Sequence, residues 1–314
     1  KDISLEDLIY AIEVAVLGAY NQTDTAKRHA RAHLDRETGE IQILVPIFGE
    51  DGTRISEEAD SPDGFSRVAT STARQIIKLK MRETNDAEIV GEFTASVGDV
   101  ISGVVQQGRD PKMINVNLGR VEGRIPPQEQ VPGEDYAHGS RIRVYLTSVQ
   151  RGPRGPQITV SRTHPNLVRK LFALEVPEVA SGQVEIASVA REAGHRTKLA
   201  VRANEPGVNA KGSCIGPLGQ RVRAVSAELN EEKIDIVDWN EDVAKFVAQA
   251  LSPAKVSSAY VIPSDVDGRP HVRALVPDYQ FSLAIGKEGQ NVRLAADLTG
   301  AKIDIQPESI LDGE

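Results

Sequence analysis

The sequence predicts a multidomain α+β chain in which a small α/β unit, an all-β unit and a duplicated α/β unit follow one another. Three observations carry this. Two segments are nearly the same, Cys214-Ile215-Gly216-Pro217-Leu218-Gly219-Gln220-Arg221-Val222-Arg223 and Ala284-Ile285-Gly286-Lys287-Glu288-Gly289-Gln290-Asn291-Val292-Arg293, set 70 residues apart. Each is followed by Lys-Ile-Asp-Ile, at Lys233–Ile236 and Lys302–Ile305, so a domain-sized unit has been duplicated. Between Gly98 and Ser161 the texture changes to short alternating strands punctuated by Gly, Pro and Asp.

At 314 residues the chain holds more than one core. No apolar run approaches the roughly 18 residues of a membrane span, and no signal peptide opens the chain, so no membrane partner is expected. Lys1 in place of Met reads as a slightly trimmed start. A single cysteine, Cys214, leaves no internal disulfide and fits a reducing, cytoplasmic setting. The net charge of −8 opposes nucleic-acid binding by the chain as a whole, so any such surface is local. One local basic group exists. Arg191, Arg196, Lys198, Arg202, Lys211, Arg221 and Arg223 are opposed between 191 and 223 only by Glu192 and Glu205.

The first helix is predicted from Leu5 to Tyr20. Leu5, Leu8, Ile9, Ile12, Val16 and Tyr20 recur at helical spacing, and Ser4 with Asp7 resembles a capping box. Alternating strands follow at Arg31–Asp35 and Glu40–Pro46 around a Glu37-Thr38-Gly39 turn. Gly49–Phe65, rich in acid, Gly, Ser and Pro, reads as an exposed loop, and Arg67–Thr84 as a second helix. This N-terminal α/β domain is expected to span 1–92.

Val100–Val105, Met113–Leu118, Val121–Ile125, Arg141–Val149 and Gln157–Ser161 are five short strands. Their spacing resembles an S1-type OB-fold β-barrel, expected over 93–163. Such barrels stack bases on exposed aromatics. The second and third strands here offer Ile114, Val116, Leu118 and Val121 instead, so weak RNA binding and a spacer or protein-contact role are expected.

From Pro165 each repeated unit reads helix, strand, strand, short helix, Gly-x-x-Gly, helix, strand, the arrangement of a type II KH domain. Two tandem KH domains are expected, over 164–238 and 239–314, with Trp239 plugging their interface. The Gly-x-x-Gly turn is what KH domains use to hold about four nucleotides. Glycines let the backbone pass close to a sugar-phosphate chain, and the following helix points its amides and positive dipole end at the turn. The RNA-binding residues expected in the first copy are Arg196, Lys198, Lys211, Ile215, Gly216, Pro217, Leu218, Gly219, Gln220, Arg221 and Arg223. In the second they are Ile285, Gly286, Lys287, Glu288, Gly289, Gln290, Asn291 and Arg293.

Other candidates carry less. His29 and His33 lack a third metal ligand nearby, Cys214 reads as a small buried residue replaced by Ala284, and Glu57, Glu58 and Asp60 read as solvated loop carboxylates. Arg151-Gly152-Pro153-Arg154-Gly155-Pro156 reads as a hairpin tip. No catalytic constellation, metal site or cofactor is expected.

Ser161-Arg162-Thr163-His164-Pro165, then Leu171-Phe172 with Glu175-Val176-Pro177-Glu178, and the run Ala190-Arg191-Glu192-Ala193-Gly194-His195-Arg196-Thr197-Lys198, resemble the NusA family of bacterial transcription factors. The resemblance runs from end to end, with an acidic, extended 49–65 stretch and no acidic C-terminal repeats after the second KH unit. It implies a non-catalytic regulator of pausing, termination and antitermination. Such a protein docks its N-terminal domain on RNA polymerase, holds nascent single-stranded RNA on S1–KH–KH, works with other antitermination factors and is a monomer. The residues alone leave open a KH/S1 protein of RNA decay or of the ribosome. The KH-after-S1 order, the acidic net charge and the lack of a large catalytic core count against those.

Overall fold

The computed structural model describes residues 4–153, 155–263 and 268–309. The chain forms two compact units, one of Lys1–Glu92 with Arg151–Pro156, the other of Phe93–Gln150 with Gln157–Glu314.

In the first unit, α1 (Leu5–Tyr20) buries Ile9, Ile12, Val16 and Tyr20 of the face that its periodicity marked, while Leu5 of that face is exposed. Strands β1 (Arg31–Leu34), β2 (Ile41–Phe48) and β3 (Arg54–Asp60) form an antiparallel sheet in that order. α2 (Phe65–Ala95) completes a core of Ile12, Val16, Tyr20, Ala32, Ile43, Phe65 and Ala69. Three expectations need correction. The 49–65 stretch contains β3, whose apolar residues are only Ile55 and Ala59. Backbone pairing to β2 and a fork from Arg31 Nε and Nη2 to Glu57, both 2.7 Å, hold it. α2 runs well past Thr84 because no proline interrupts the segment to Ala95. Ser4 is the N-cap of α1, but its side chain makes no capping bond.

The second unit begins with β4 (Val100–Gln106), β5 (Ile114–Asn117), β6 (Glu122–Ile125), β7 (Arg141–Gly152) and β8 (Gly155–Ser161). These are the five expected strands, closed into a barrel in the order β4-β5-β6-β8-β7. Val105, Val116, Ile125, Val144, Leu146, Ile158 and Val160 fill it. At Gly103 a Cβ would lie 2.3 Å from Val116 Cγ1, so only glycine lets β4 close on β5 there.

The first KH unit follows as α3 (Pro165–Glu175), α4 (Pro177–Ala180), β9 (Val184–Glu192), β10 (Arg196–Ala203), α5 (Ala210–Ile215), α6 (Gln220–Glu228) and β11 (Lys233–Asp238). The second is α7 (Val243–Ala250), β12 (Ser258–Ile262), β13 (His271–Val276), α8 (Phe281–Ile285), α9 (Gln290–Thr299) and β14 (Lys302–Pro307). Only the short α4 was not expected. In each sheet the central strand is antiparallel to one neighbour and parallel to the other. One face of the first sheet packs Leu199 and Val201 against Leu167, Leu171, Phe172 and Val225 of its own helices. The opposite face, with Ala190, Ala200 and Val237, is covered by Val247, Leu251, Leu294 and Leu298 of the second unit. The two KH units therefore share a core, and Trp239 packs on it with the Arg202 guanidinium 4.9 Å above its ring. The barrel is fused to the first KH unit by buried Arg162. Its Nη1 donates to Arg143 O at 2.7 Å and its Nη2 to Glu228 O at 2.8 Å, and its guanidinium pairs with Glu134. Among the described residues no helix is long and apolar enough to cross a membrane.

Candidate nucleic-acid interface

The two turns have the same backbone. Gly216 and Gly286 have φ/ψ of 74/172 and 78/171, Leu218 and Glu288 50/23 and 54/27, and Gly219 and Gly289 75/18 and 73/14, all in degrees. Three of every four turn residues thus lie at positive φ, where glycine is the unstrained choice. The two glycines answer different needs. A Cβ at Gly216 would lie 2.6 Å from Arg221 Cγ, and one at Gly286 2.8 Å from the backbone nitrogen of Asn291. The first glycine therefore lets the turn fold back on its own helix. At Gly289 nothing lies closer than 4.0 Å, and at Gly219 the nearest atom is the mobile end of Arg223 at 3.2 Å. The second glycine presents the bare, outward backbone along which a sugar-phosphate chain can pass. Neither α6 nor α9 has a side-chain cap at its N-cap glycine, so their first amides face the turn uncapped.

The residue five places after the first glycine is a brace in both copies. Arg221 Nη1 donates to Ser213 O at 2.7 Å and to Glu178 at 2.9 Å. Asn291 Nδ2 donates to Ala284 O and Leu251 O, each at 2.9 Å. Each side chain ties the short helix before the turn to the longer one after it. Asn291 is 1% exposed, so its expected place among the RNA contacts is corrected: it is inside the fold.

Lys198 is corrected likewise. It is fully buried beneath the second KH unit, with Nζ donating to Ser252 O at 2.7 Å and Asp235 at 3.1 Å. Burial pushes its ammonium pKa down, opposed by Asp235. Arg196 is partly exposed and paired with Asp235 at 2.7 Å, and Arg191 is buried against Glu232. Gln290 and Arg293 both reach across to Glu192 of the first unit, at 2.7 and 2.8 Å. Their hydrogen bonds, Gln290 first, hold the Glu192 carboxyl below the usual carboxylate range. Ile215 packs on the core, and Cys214 is buried.

The remaining expected residues stay at the surface. Pro217, Leu218, Gln220 and Arg223 in the first copy, and Lys287 and Glu288 in the second, are exposed, Leu218 by 93%. Lys211, Arg223 and Lys287 have no ion-pair partner among the described residues. Lys233 and Lys302 open the parallel strands β11 and β14, after the helices that the turns start, and are exposed in both copies. They were passed over as cations, although the repeated Lys-Ile-Asp-Ile was itself the signal. The arrangement is thus two equivalent glycine turns on KH units that share a core, edged by separate cations, with the rest of the sequence's basic run spent on ion pairs.

A NusA-like first KH domain profile matches residues 162–239, and a NusA-like second KH domain profile matches residues 243–312. The transcription termination/antitermination protein NusA of Mycobacterium bovis is 52% identical over 318 residues, covering 98% of this chain and 90% of that protein. The protein of the same name from Bacillus subtilis is 45% identical over 331 residues, covering 98% and 88%. Among solved structures, the solution structure of the N-terminal domain of NusA from B. subtilis is 28% identical, with a TM-score of 0.23, covering 27% of this chain and 86% of that one. Identity of this order over 98% of the chain means that the chain belongs to the NusA family of transcription termination/antitermination proteins.

Proposed function

We propose that this chain regulates transcriptional pausing, termination and antitermination by holding nascent single-stranded RNA on its two glycine turns. The observation that carries the reading is the duplicated turn, with matching dihedrals and its bare second glycine outward in both copies. Such a turn suits a phosphate backbone rather than a base sequence. In this reading residues 93–163 form the S1 barrel, and 164–238 and 239–314 the two KH domains that bind RNA. Residues 1–92 dock on RNA polymerase, and other antitermination factors join the assembly. The protein acts by binding rather than catalysis, as a cytoplasmic monomer. The relatives' printed names support the transcriptional role.

The test is a pull-down of core RNA polymerase by the full chain, with a filter-binding titration of a ten-nucleotide unstructured RNA. Capture of polymerase together with saturable RNA binding is the expected result. RNA binding without polymerase capture would leave an RNA-binding protein of another process.

A further inference from the structure

Tyr279 is 82% exposed, the most exposed aromatic side chain among the described residues. Its neighbours are all tied down. Asp278 Oδ1 accepts from Ser309 N at 3.2 Å, Gln280 Oε1 accepts from Lys255 N at 2.6 Å, and Phe281 packs against the Ala254–Val276–Ala284 cluster. The ring of Tyr279 makes no ring contact and its hydroxyl no hydrogen bond among the described residues. A firmly held backbone therefore projects this one ring into water. Tyr279 sits in the 3-10 turn Asp278–Gln280 that leads into α8, and four residues later, in α8, stands Leu283, 46% exposed. The second glycine turn begins at Gly286, directly after α8 and seven residues from Tyr279.

The duplicated unit supplies the comparison. The positions 70 residues earlier are Asn209 and Ser213. Asn209 caps α5, its side chain accepting from Gly212 N at 2.8 Å. α8 has no side-chain cap. The second copy thus has an exposed aromatic where the first has a capping asparagine, and it enters its short helix through the 3-10 turn Asp278–Gln280 instead.

We propose that Tyr279 is a stacking platform for one unpaired nucleobase of the RNA strand running past the second turn, with Leu283 as its apolar edge. This rests on the RNA-binding reading above and adds a subsite to it. An aromatic face accepts any base, so the platform adds affinity and fixes the strand's register without reading sequence. It also gives the second KH domain a contact that the first lacks.

The test uses the full chain and a ten-nucleotide RNA of fixed, unstructured sequence, together with the same RNA carrying a single abasic site at each position in turn. Tyr279→Ala should weaken binding of the intact RNA about tenfold, while Tyr279→Phe should bind as the parent does. The slope of log K against log salt should not change, because no charge is lost. One abasic position should weaken the parent and leave Tyr279→Ala indifferent. Intact-RNA affinity unchanged in Tyr279→Ala, or an equal response of both proteins at every abasic position, overturns the platform while the RNA-binding reading stands. A parent chain that fails to bind the intact RNA overturns both.

Discussion

Glu192, at the end of β9, accepts a hydrogen bond from Arg293 Nε at 2.8 Å, so a carboxylate of the first KH unit neutralises the arginine behind the second unit's turn. The same guanidinium donates from Nη1 to Glu288 O at 3.2 Å, inside that turn. Arg223, its counterpart in the first copy, has no ion-pair partner among the described residues and is exposed. The two arginines are equivalent in sequence and opposite in availability.

Arg223→Ala should therefore weaken binding of a ten-nucleotide RNA by about five- to tenfold and flatten the salt slope by about 0.7, one phosphate contact. Arg293→Ala, already neutralised, should change both by much less. Parallel titrations at several salt concentrations decide this. A larger effect of Arg293→Ala would mean that RNA displaces Glu192 and recruits the arginine.

Replacing Pro217-Leu218 and Lys287-Glu288 with Asp-Asp pairs should nearly abolish RNA binding with little change in Tm. Aspartate tolerates the positive φ that Leu218 and Glu288 adopt, at 50° and 54°, so the turns keep their shape while carboxylates meet phosphate. For the unaltered chain, contacts to about five phosphates predict a log–log salt slope of roughly −3 to −4. Retained affinity in the quadruple variant would place the RNA elsewhere.

Asn291→Ala should act on stability. It leaves the carbonyls of Leu251 and Ala284 without this buried donor, a loss of about 2 kcal/mol. Urea unfolding should show a lower midpoint, and RNA affinity measured well below that midpoint should be close to the parent's. A selective loss of RNA affinity at unchanged midpoint would restore Asn291 to the RNA surface.

These outcomes reflect what the sequence could express. Helix and strand positions followed from local periodicity, and the turns from glycines whose φ a neighbouring residue cannot supply. The partners of charged groups did not follow. Lys198 and Asp235 are far apart in sequence and adjacent only through the parallel pairing of β10 with β11, and Glu192 meets Arg293 only because α9 packs on β9. A basic run in sequence therefore became a set of internal ion pairs as alternate strand residues turned to opposite faces. β3 was missed for a related reason. It is a largely exposed edge strand, Arg-Ile-Ser-Glu-Glu-Ala-Asp, whose hold is backbone pairing and the Arg31–Glu57 fork rather than an apolar pattern.

Cys214 should resist modification in the native chain. It is fully buried, and burial pushes its thiol pKa up to about 12. At pH 8 a thiol-specific disulfide reagent should react with it only after urea unfolding. Because the folded pKa is raised, the native state binds the thiol proton more tightly than the unfolded chain. The associated stability is complete below the unfolded value near 9.0 and is lost as pH rises towards 12. The difference in urea midpoint between the parent and Cys214→Ala should narrow across that range. Rapid labelling of the native protein at pH 8 would show that the site opens locally.

Removing residues 1–92 should separate polymerase docking from RNA binding. The KH units rest on one core of α3, α5, α6 and β9–β11 and a second of α7, α9 and β13 that they share, and none of these cores draws a residue from 1–92. The first unit is closed around Tyr20, whose hydroxyl bonds Asp60 and accepts from Lys27 N at 3.0 Å. Its acidic β2–β3 region, with Glu50, Asp51 and Glu58, suits a basic protein partner better than RNA. The truncated chain should bind the ten-nucleotide RNA within about twofold of the parent, yet fail to capture core polymerase or lengthen a hairpin pause. Pause enhancement by the truncated chain would move the docking function out of 1–92. A collapse of RNA affinity would place the first unit on the RNA path.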